Sequence, residues 1–236
     1  MKKLICVLIL LMSTAAYSQF KSRETSEAYL GAGVGLNVFT NSDVSGMYPM
    51  FDIDNSSFLT NIAPYFGYKF NSTFSAEISP MVSIAKTYSK NGFYFTDQSG
   101  STLFYKPQNL SLAMIPLLAR VKIFPFASDL KASNLKAGWY SGAGAGITYL
   151  NESYDSFVYL DNNSYSPMYS QTNRKSYWTP VASVFTGWES SAKYAFGIEI
   201  GYNFIPAKVD RTDPLMISVA SNFNNFYLNI KGRLGF

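Results

Sequence analysis

The stretch that decides the fold is Tyr227-Leu228-Asn229-Ile230-Lys231-Gly232-Arg233-Leu234-Gly235-Phe236, at the C-terminus. With Phe226 before it, one row of alternate positions holds Phe226, Leu228, Ile230, Leu234 and Phe236, broken only by Gly232. The other row holds Asn229, Lys231, Arg233 and Gly235. A period of two is the period of a β-strand, whose successive side chains point to opposite faces. This segment is a strand with one apolar face and one polar or small face.

The same pattern recurs upstream. Leu30, Ala32, Val34, Leu36 and Val38 alternate with Gly31, Gly33, Gly35 and Asn37. Phe58, Ile62, Phe66, Tyr68 and Phe70 stand against Asn61, Ala63, Gly67 and Lys69. After a turn at Asn71-Ser72-Thr73, Phe74, Ala76, Ile78, Val82 and Ile84 oppose Ser75, Glu77, Ser79 and Ser83. A fourth segment, Leu110 to Phe124, sets Ile115, Leu117, Ala119, Val121 and Ile123 against Arg120 and Lys122, with Pro116 as the expected place of a bulge or phase slip. Trp139, Ala143, Ala145, Ile147 and Tyr149 oppose Gly142, Gly144, Gly146 and Thr148. The segment Tyr177 to Glu189 has two mixed faces. Tyr194, Phe196, Ile198, Ile200, Tyr202 and Phe204 oppose Lys193, Gly197, Glu199 and Asn203. With the C-terminal strand this makes eight segments. The halves echo each other (Gly31-Ala32-Gly33 with Gly142-Ala143-Gly144, Phe74 to Ile78 with Phe196 to Ile200), either from duplication of a four-stranded unit or from shared strand chemistry.

Composition says which face meets what. Charged residues are 14% of the chain and aromatic residues 17%, against about a quarter charged in ordinary soluble domains. The polar rows are mostly Gly, Ser, Asn and Ala, too poor in charge for a water-facing surface. No stretch reaches the ~20 apolar residues of a membrane-spanning helix. A chain that crosses lipid without such helices must close into a barrel, since lipid tolerates no open sheet edge. The expected fold is therefore all-β: an eight-stranded antiparallel up-and-down transmembrane barrel, apolar face outward, polar lumen inward. The competing fold is a soluble barrel of lipocalin type with the faces reversed. Aromatic clusters at Tyr65 to Phe70, Trp139 and Tyr140, Trp178, Trp188, and Tyr202 and Phe204 fit interfacial girdles.

The N-terminus reads as a secretory signal peptide, residues 1–18, leaving a barrel domain of residues 19–236. Lys2 and Lys3 precede the apolar run Leu4 to Met12, and Ala16-Tyr17-Ser18 offers a cleavage site. Cleavage after Ser18 removes Cys6, the single cysteine, so the mature chain forms no disulfide. It also removes Lys2 and Lys3, lowering the formal net charge from +4 to +2, which gives no reason to expect a nucleic-acid partner. Long polar connections, at about 40–57, 87–107, 151–176 and 205–221, alternate with short turns near Asn71 and Ser190, with Pro125 to Lys136 as the exception. Short turns lie on the periplasmic side of outer-membrane barrels and long loops outside, so both termini are expected in the periplasm.

The C-terminal strand ending on Phe236, with Leu228, Ile230 and Leu234 in its apolar row, resembles the signal by which the barrel-assembly machinery recognises outer-membrane proteins. The mature chain resembles eight-stranded barrels of OmpA and OmpX type, and is similar to the outer-membrane β-barrel group that includes PorT-like proteins. The segment Met114-Ile115-Pro116-Leu117-Leu118-Ala119-Arg120 resembles an Ile-Pro-Leu-Leu strand of that group, with Met114 where members often carry an acid. The resemblance implies an outer-membrane location, contact with outer-membrane lipid, and the assembly machinery as a partner during insertion.

The chain contains no histidine. That excludes Ser-His-Asp and Cys-His catalysis and His-ligated metals, and no enzyme activity or cofactor is expected. Glu77 and Glu199 sit in lumen phase and could in principle do acid–base work, but Arg120, Lys122, Lys193, Lys231 and Arg233 share that interior. Buried carboxylates need such partners. The expectation is a structural ion-pair network of Glu77, Arg120, Lys122, Glu199, Lys231 and Arg233 that plugs the lumen. Gly31-x-Gly33-x-Gly35 lacks the spacing and following helix of a nucleotide loop. Asp52 to Asn55 and Asp161 to Asn163 read as solvated turns rather than calcium loops. Aromatic residues in 87–107 (Phe93, Tyr94, Phe95, Phe104, Tyr105) and 151–176 (Tyr154, Phe157, Tyr159, Tyr165, Tyr169) make either an adhesive surface for an extracellular ligand or protein, or an upper girdle on strands that run past the membrane. Two functions stand: a non-catalytic structural or surface-interaction barrel, and a narrow porin-like channel for small solutes.

Overall fold

A computed structural model describes residues 27–41, 58–89, 92–127, 134–190, 194–206 and 222–236. The signal-peptide segment 1–18, Asp52 to Asn55, Lys193, and most of 40–57 and 205–221 lie outside the described residues.

The strands are β1 (Glu27–Phe39), β2 (Phe58–Lys69), β3 (Phe74–Pro80), β4 (Val82–Ser89), β5 (Phe93–Thr96), β6 (Thr102–Ile123), β7 (Trp139–Tyr159), β8 (Tyr169–Glu189), β9 (Tyr194–Phe204) and β10 (Asn225–Gly235), with one helical turn, α1 (Asn134–Ala137), before β7. All pairings are antiparallel, and β1 pairs with both β2 and β10, which closes the sheet into a ring. Strands β3 and β4 form one stave. They keep a single register against β6, Pro80 opposite Leu117 and Ser83 opposite Met114, with Met81 N–H donating to Pro116 O at 2.9 Å between them. The ring therefore has eight staves, and β5 pairs outside it, on β6.

Tight turns need local chemistry. Between β2 and β3, Asn71 Oδ1 accepts from Thr73 N and Phe74 N, both at 2.8 Å, the side-chain mimic of a turn that Asn supplies. At the other short turn Ser190 Oγ accepts from Phe196 N at 3.1 Å. Both turns, Glu27 and Phe236 share one end of the barrel, where Phe236 N–H donates to Ala28 O at 2.9 Å.

The apolar rows face outward. Leu30, Val34, Ile62, Phe66, Ile78, Val121, Ile198, Ile200, Leu228 and Ile230 are all exposed, while Glu77, Arg120, Lys122, Glu199, Lys231 and Arg233 are buried. Aromatic residues mark the two ends of this apolar wall. Trp139 pairs with Trp188 at one end and Tyr149 with Trp178 at the other, ten residues later on β7. A rise of ~3.4 Å per residue on a strand tilted ~45° sets these girdles roughly 24 Å apart, the height of the apolar band of a barrel in lipid.

Four expectations are corrected or decided. Pro116 causes no bulge: it stays in register opposite Thr148, and the irregularity falls between Gln108 and Ser111, where Asn109 adopts φ 50°. The mixed segment 177–189 has a definite phase, with Thr179, Val181, Ser183 and Phe185 inward, its pattern blurred because two of these are apolar. Tyr65 and Tyr140, expected in the girdles, are buried in the lumen. Of the two readings of 87–107 and 151–176, strand that runs past the membrane is the one that holds, since both segments are largely paired. β6, β7 and β8 run for 22, 21 and 21 residues, twice the 9–11 that span a bilayer, and with β5 they form a four-stranded arm at the end opposite Glu27 and Phe236.

Candidate functional site

Two features can carry function: the filled lumen and the arm. In the lumen, strand phase does the placing. Glu77 enters from β3 between Ser75 and Ser79, Arg120 and Lys122 from β6, Glu199 from β9, Lys231 and Arg233 from β10. Glu77 and Arg120 are direct cross-strand partners.

The six converge. Lys122 Nζ lies 2.5 Å from Glu77 Oε1, and Arg120 Nη1 and Lys231 Nζ each 3.5 Å from Glu77 Oε2. Arg120 Nη2 lies 2.6 Å from Glu199 Oε1 and Lys231 Nζ 3.1 Å from Glu199 Oε2. Tyrosines complete both carboxylates. Tyr29 donates to Glu77 at 3.1 Å, and Tyr140 and Tyr227 to Glu199 at 2.9 and 3.2 Å. Each carboxylate thus has four partners, which matches its lone-pair capacity. Desolvating such ions costs several kcal/mol each, and the cost is offset only when those sites are filled. Rings cover the cations as well: the Arg120 guanidinium stacks 3.7 Å from the Phe185 centroid, Lys231 lies 4.2 Å from Tyr65 and Lys122 4.5 Å from Tyr140.

The sequence reading missed members of this network. Glu189, at the end of β8, takes Lys122 at 3.2 Å and Arg233 at 3.6 Å, and Glu27 lies 3.8 Å from Arg233. It also missed the tyrosines. A glycine lies beneath each of two rings: a Cβ on Gly201 would meet the Tyr227 ring at 2.5 Å, and one on Gly67 would meet the Tyr29 ring at 2.3 Å. The glycine rows therefore make room for the rings that hold the carboxylates.

Nearer the arm the lumen is apolar, not polar as expected. Leu59, Leu110, Leu112, Met114, Leu118, Leu150, Val181, Ile205 and Phe223 form one buried cluster there. Between the layers runs an amide ladder, Asn61 Nδ2 to Asn37 Oδ1 at 3.0 Å and Asn37 Nδ2 to Ser83 Oγ at 2.7 Å.

No protein-family model matches the chain, and no curated protein does. Solved structures of similar architecture exist. The attachment invasion locus protein Ail of Yersinia pestis, crystallised with the heparin analogue sucrose octasulfate, is 8% identical, with 89% of this chain and 99% of that chain covered and a TM-score of 0.46. Neisserial surface protein A is 16% identical, with 90% and 100% covered and a TM-score of 0.46. The N-terminal β-barrel domain of Pseudomonas aeruginosa OprF is 9% identical, with 89% and 97% covered and a TM-score of 0.39.

The arm is the second feature. Its aromatics divide. Phe104, Tyr105 and Tyr154 are buried, whereas Tyr94, Tyr165 and Tyr169 are exposed beyond the Tyr149–Trp178 girdle. The turn at Asp161 is closed by its own hydrogen bonds: Ser164 N donates to Asp161 O at 3.0 Å and Asn162 N to Asp161 Oδ1 at 2.7 Å. On the arm's flank Asp155 accepts from Asn109 at 2.6 Å and from Thr172 at 2.7 Å, and these donors hold its carboxyl below the ordinary carboxylate range.

Proposed function

We propose that this protein is an integral outer-membrane β-barrel, non-catalytic and closed to solutes, whose role is structural or surface-interacting, with its periplasmic end at the short turns and its arm outside. The way the lumen is filled carries this reading. An ion-pair layer and a packed apolar layer lie one above the other along the axis, and Glu77, Arg120, Lys122, Glu199, Lys231 and Arg233 are all buried. A catalytic carboxylate must reach substrate, but Glu77 and Glu199 are each held by four partners. The apolar exterior between its aromatic girdles provides the contact with outer-membrane lipid, and the strand ending on Phe236 the contact with the barrel-assembly machinery. The signal peptide 1–18 provides export, and the PorT-like resemblance of Met114 to Arg120 belongs to this reading too.

Single-channel recording of the refolded protein in planar bilayers tests the closed lumen. The expected trace is flat. A stable conductance that changes when Glu77 or Arg233 is replaced would establish the narrow-channel alternative instead. Heat-modifiable migration in detergent gels tests the membrane barrel itself, and a mature chain that stays folded and soluble without detergent would overturn it.

A further inference from the structure

The outermost part of the arm consists of two hairpin tips, β5–β6 and β7–β8, fastened together. Tyr94 of β5 donates its hydroxyl to Asp161 Oδ1 of the other tip at 2.6 Å, while its ring packs on Phe104 with centroids 5.0 Å apart. Each tip is also internally ordered. Asp97 Oδ1 accepts from Ser99 N, Ser99 Oγ and Ser101 N at 2.7 to 2.9 Å, around Gly100 at φ +84°. Asp161 N donates to Ser164 Oγ at 3.2 Å, and Met168 N to Val158 O at 2.8 Å.

This ordered frame displays large apolar side chains to water. Leu160 is 63% exposed, Met168 62%, Tyr94 54%, Tyr169 42%, and Tyr165 fully. They lie beyond the upper girdle, so lipid does not cover them. Scattered apolar residues need no explanation, but a group of them on one hydrogen-bonded pair of tips is the mark of a recognition surface. The composition has the same meaning: nine of the fifteen residues from Tyr159 to Asn173 are Tyr, Ser or Asn, with Leu160 and Met168 among the others, the mix that antibody loops use because tyrosine supplies contact area at low entropic cost. The hydrogen-bonded frame removes much of the ordering cost that binding would otherwise carry.

Charge selects among partners. Between Gly92 and Tyr105, and between Phe157 and Asn173, the charged residues are Asp97 and Asp161 alone, with no lysine or arginine. Both stay ionised: the Ser99 hydroxyl, then Ser101 N–H, hold the Asp97 carboxyl low, and the Tyr94 hydroxyl, then Asn162 N–H, do so for Asp161. We infer that the paired tips form a docking surface for a protein partner that presents lysine or arginine beside aliphatic or aromatic side chains. The inference rests on the surface-interaction reading and narrows it to one end of the arm and one partner chemistry.

The test pans a phage library of random dodecapeptides against the full barrel in nanodiscs. Enriched peptides should combine basic with apolar residues. Their affinity should fall at least tenfold for the double variant Tyr165→Ser, Met168→Ser, fall less for Asp161→Asn, and weaken as salt rises. Heat-modifiable migration of each variant establishes that the barrel is intact. Absence of enrichment, acidic consensus peptides, binding indifferent to the tip substitutions, or binding only to a neutral glycan array would each overturn the inference. Peptides bound with equal affinity by the tip variants would leave the surface-interaction reading standing, and a lumen conductance would bear on the other reading alone.

Discussion

Glu77→Ala is expected to lower the unfolding free energy of the detergent-refolded barrel by about 3–5 kcal/mol, the cost of breaking a buried ion pair from one side. The reason lies in what is left behind. Lys122, Arg120 and Lys231 all contact Glu77, and all three are buried. Glu199 keeps Arg120 and Lys231, and Glu189 keeps Lys122 as well as Arg233, so four cations then share these two carboxylates and Glu27. Tyr29 also loses its acceptor. Urea titration followed by tryptophan fluorescence measures the loss. Glu77→Gln should fall nearly as far, because the amide fills the space without the charge. Adding Lys122→Met to Glu77→Ala should restore part of the stability, since it removes one stranded cation and leaves an apolar chain among rings; the non-additivity is the measure of coupling. A loss below about 1 kcal/mol is the size of a solvated surface pair. It would mean that water reaches these cations and that the lumen is not closed.

That network was legible in the sequence as far as alternation could carry it. Glu77, Arg120, Lys122, Glu199, Lys231 and Arg233 each sit in the polar row of a clear strand, so phase alone sends them inward. Glu189 was missed because it ends a strand whose inward row contains Val181 and Phe185, which erases the contrast between faces. Glu27 precedes the first apolar row, and nothing local assigns it a face. The tyrosines were misread for a different reason. Tyr65 and Tyr140 stand next to outward aromatics, Phe66 and Trp139, and only the register reveals that they lie over glycines of other strands. The apolar lumen layer was hidden likewise: Leu110, Leu112, Met114 and Leu118 share Arg120's phase, but an unbroken apolar run such as Leu117-Leu118 does not say which residue points in. Alternation alone leaves the arm open between loop and strand running past the membrane, because strand that leaves the bilayer loses its apolar row, and with it the signal that alternation gives.

Phe236→Asp separates the proposed assembly signal from stability. Phe236 side chain points outward at the girdle end and is 66% exposed, while its backbone N–H donates to Ala28 O. The substitution keeps that hydrogen bond and places a charge at the interface, where lipid-facing charges cost about 0–1 kcal/mol. In vitro refolding into detergent should therefore be nearly unchanged. In cells the mature protein should drop severalfold in the outer-membrane fraction, because the aromatic end of the row Leu228, Ile230, Leu234, Phe236 is what the assembly machinery would read. Ile230→Arg is the counterpart. Ile230 lies midway along β10's outward row, near the bilayer centre, where such a charge costs about 2–4 kcal/mol, so it should fail in both assays. If Phe236→Asp reaches the outer membrane at the normal level, Phe236 is an ordinary girdle residue and the signal lies elsewhere in the strand. If it fails to refold in detergent as well, its contribution is to closure of the β1–β10 seam rather than to recognition.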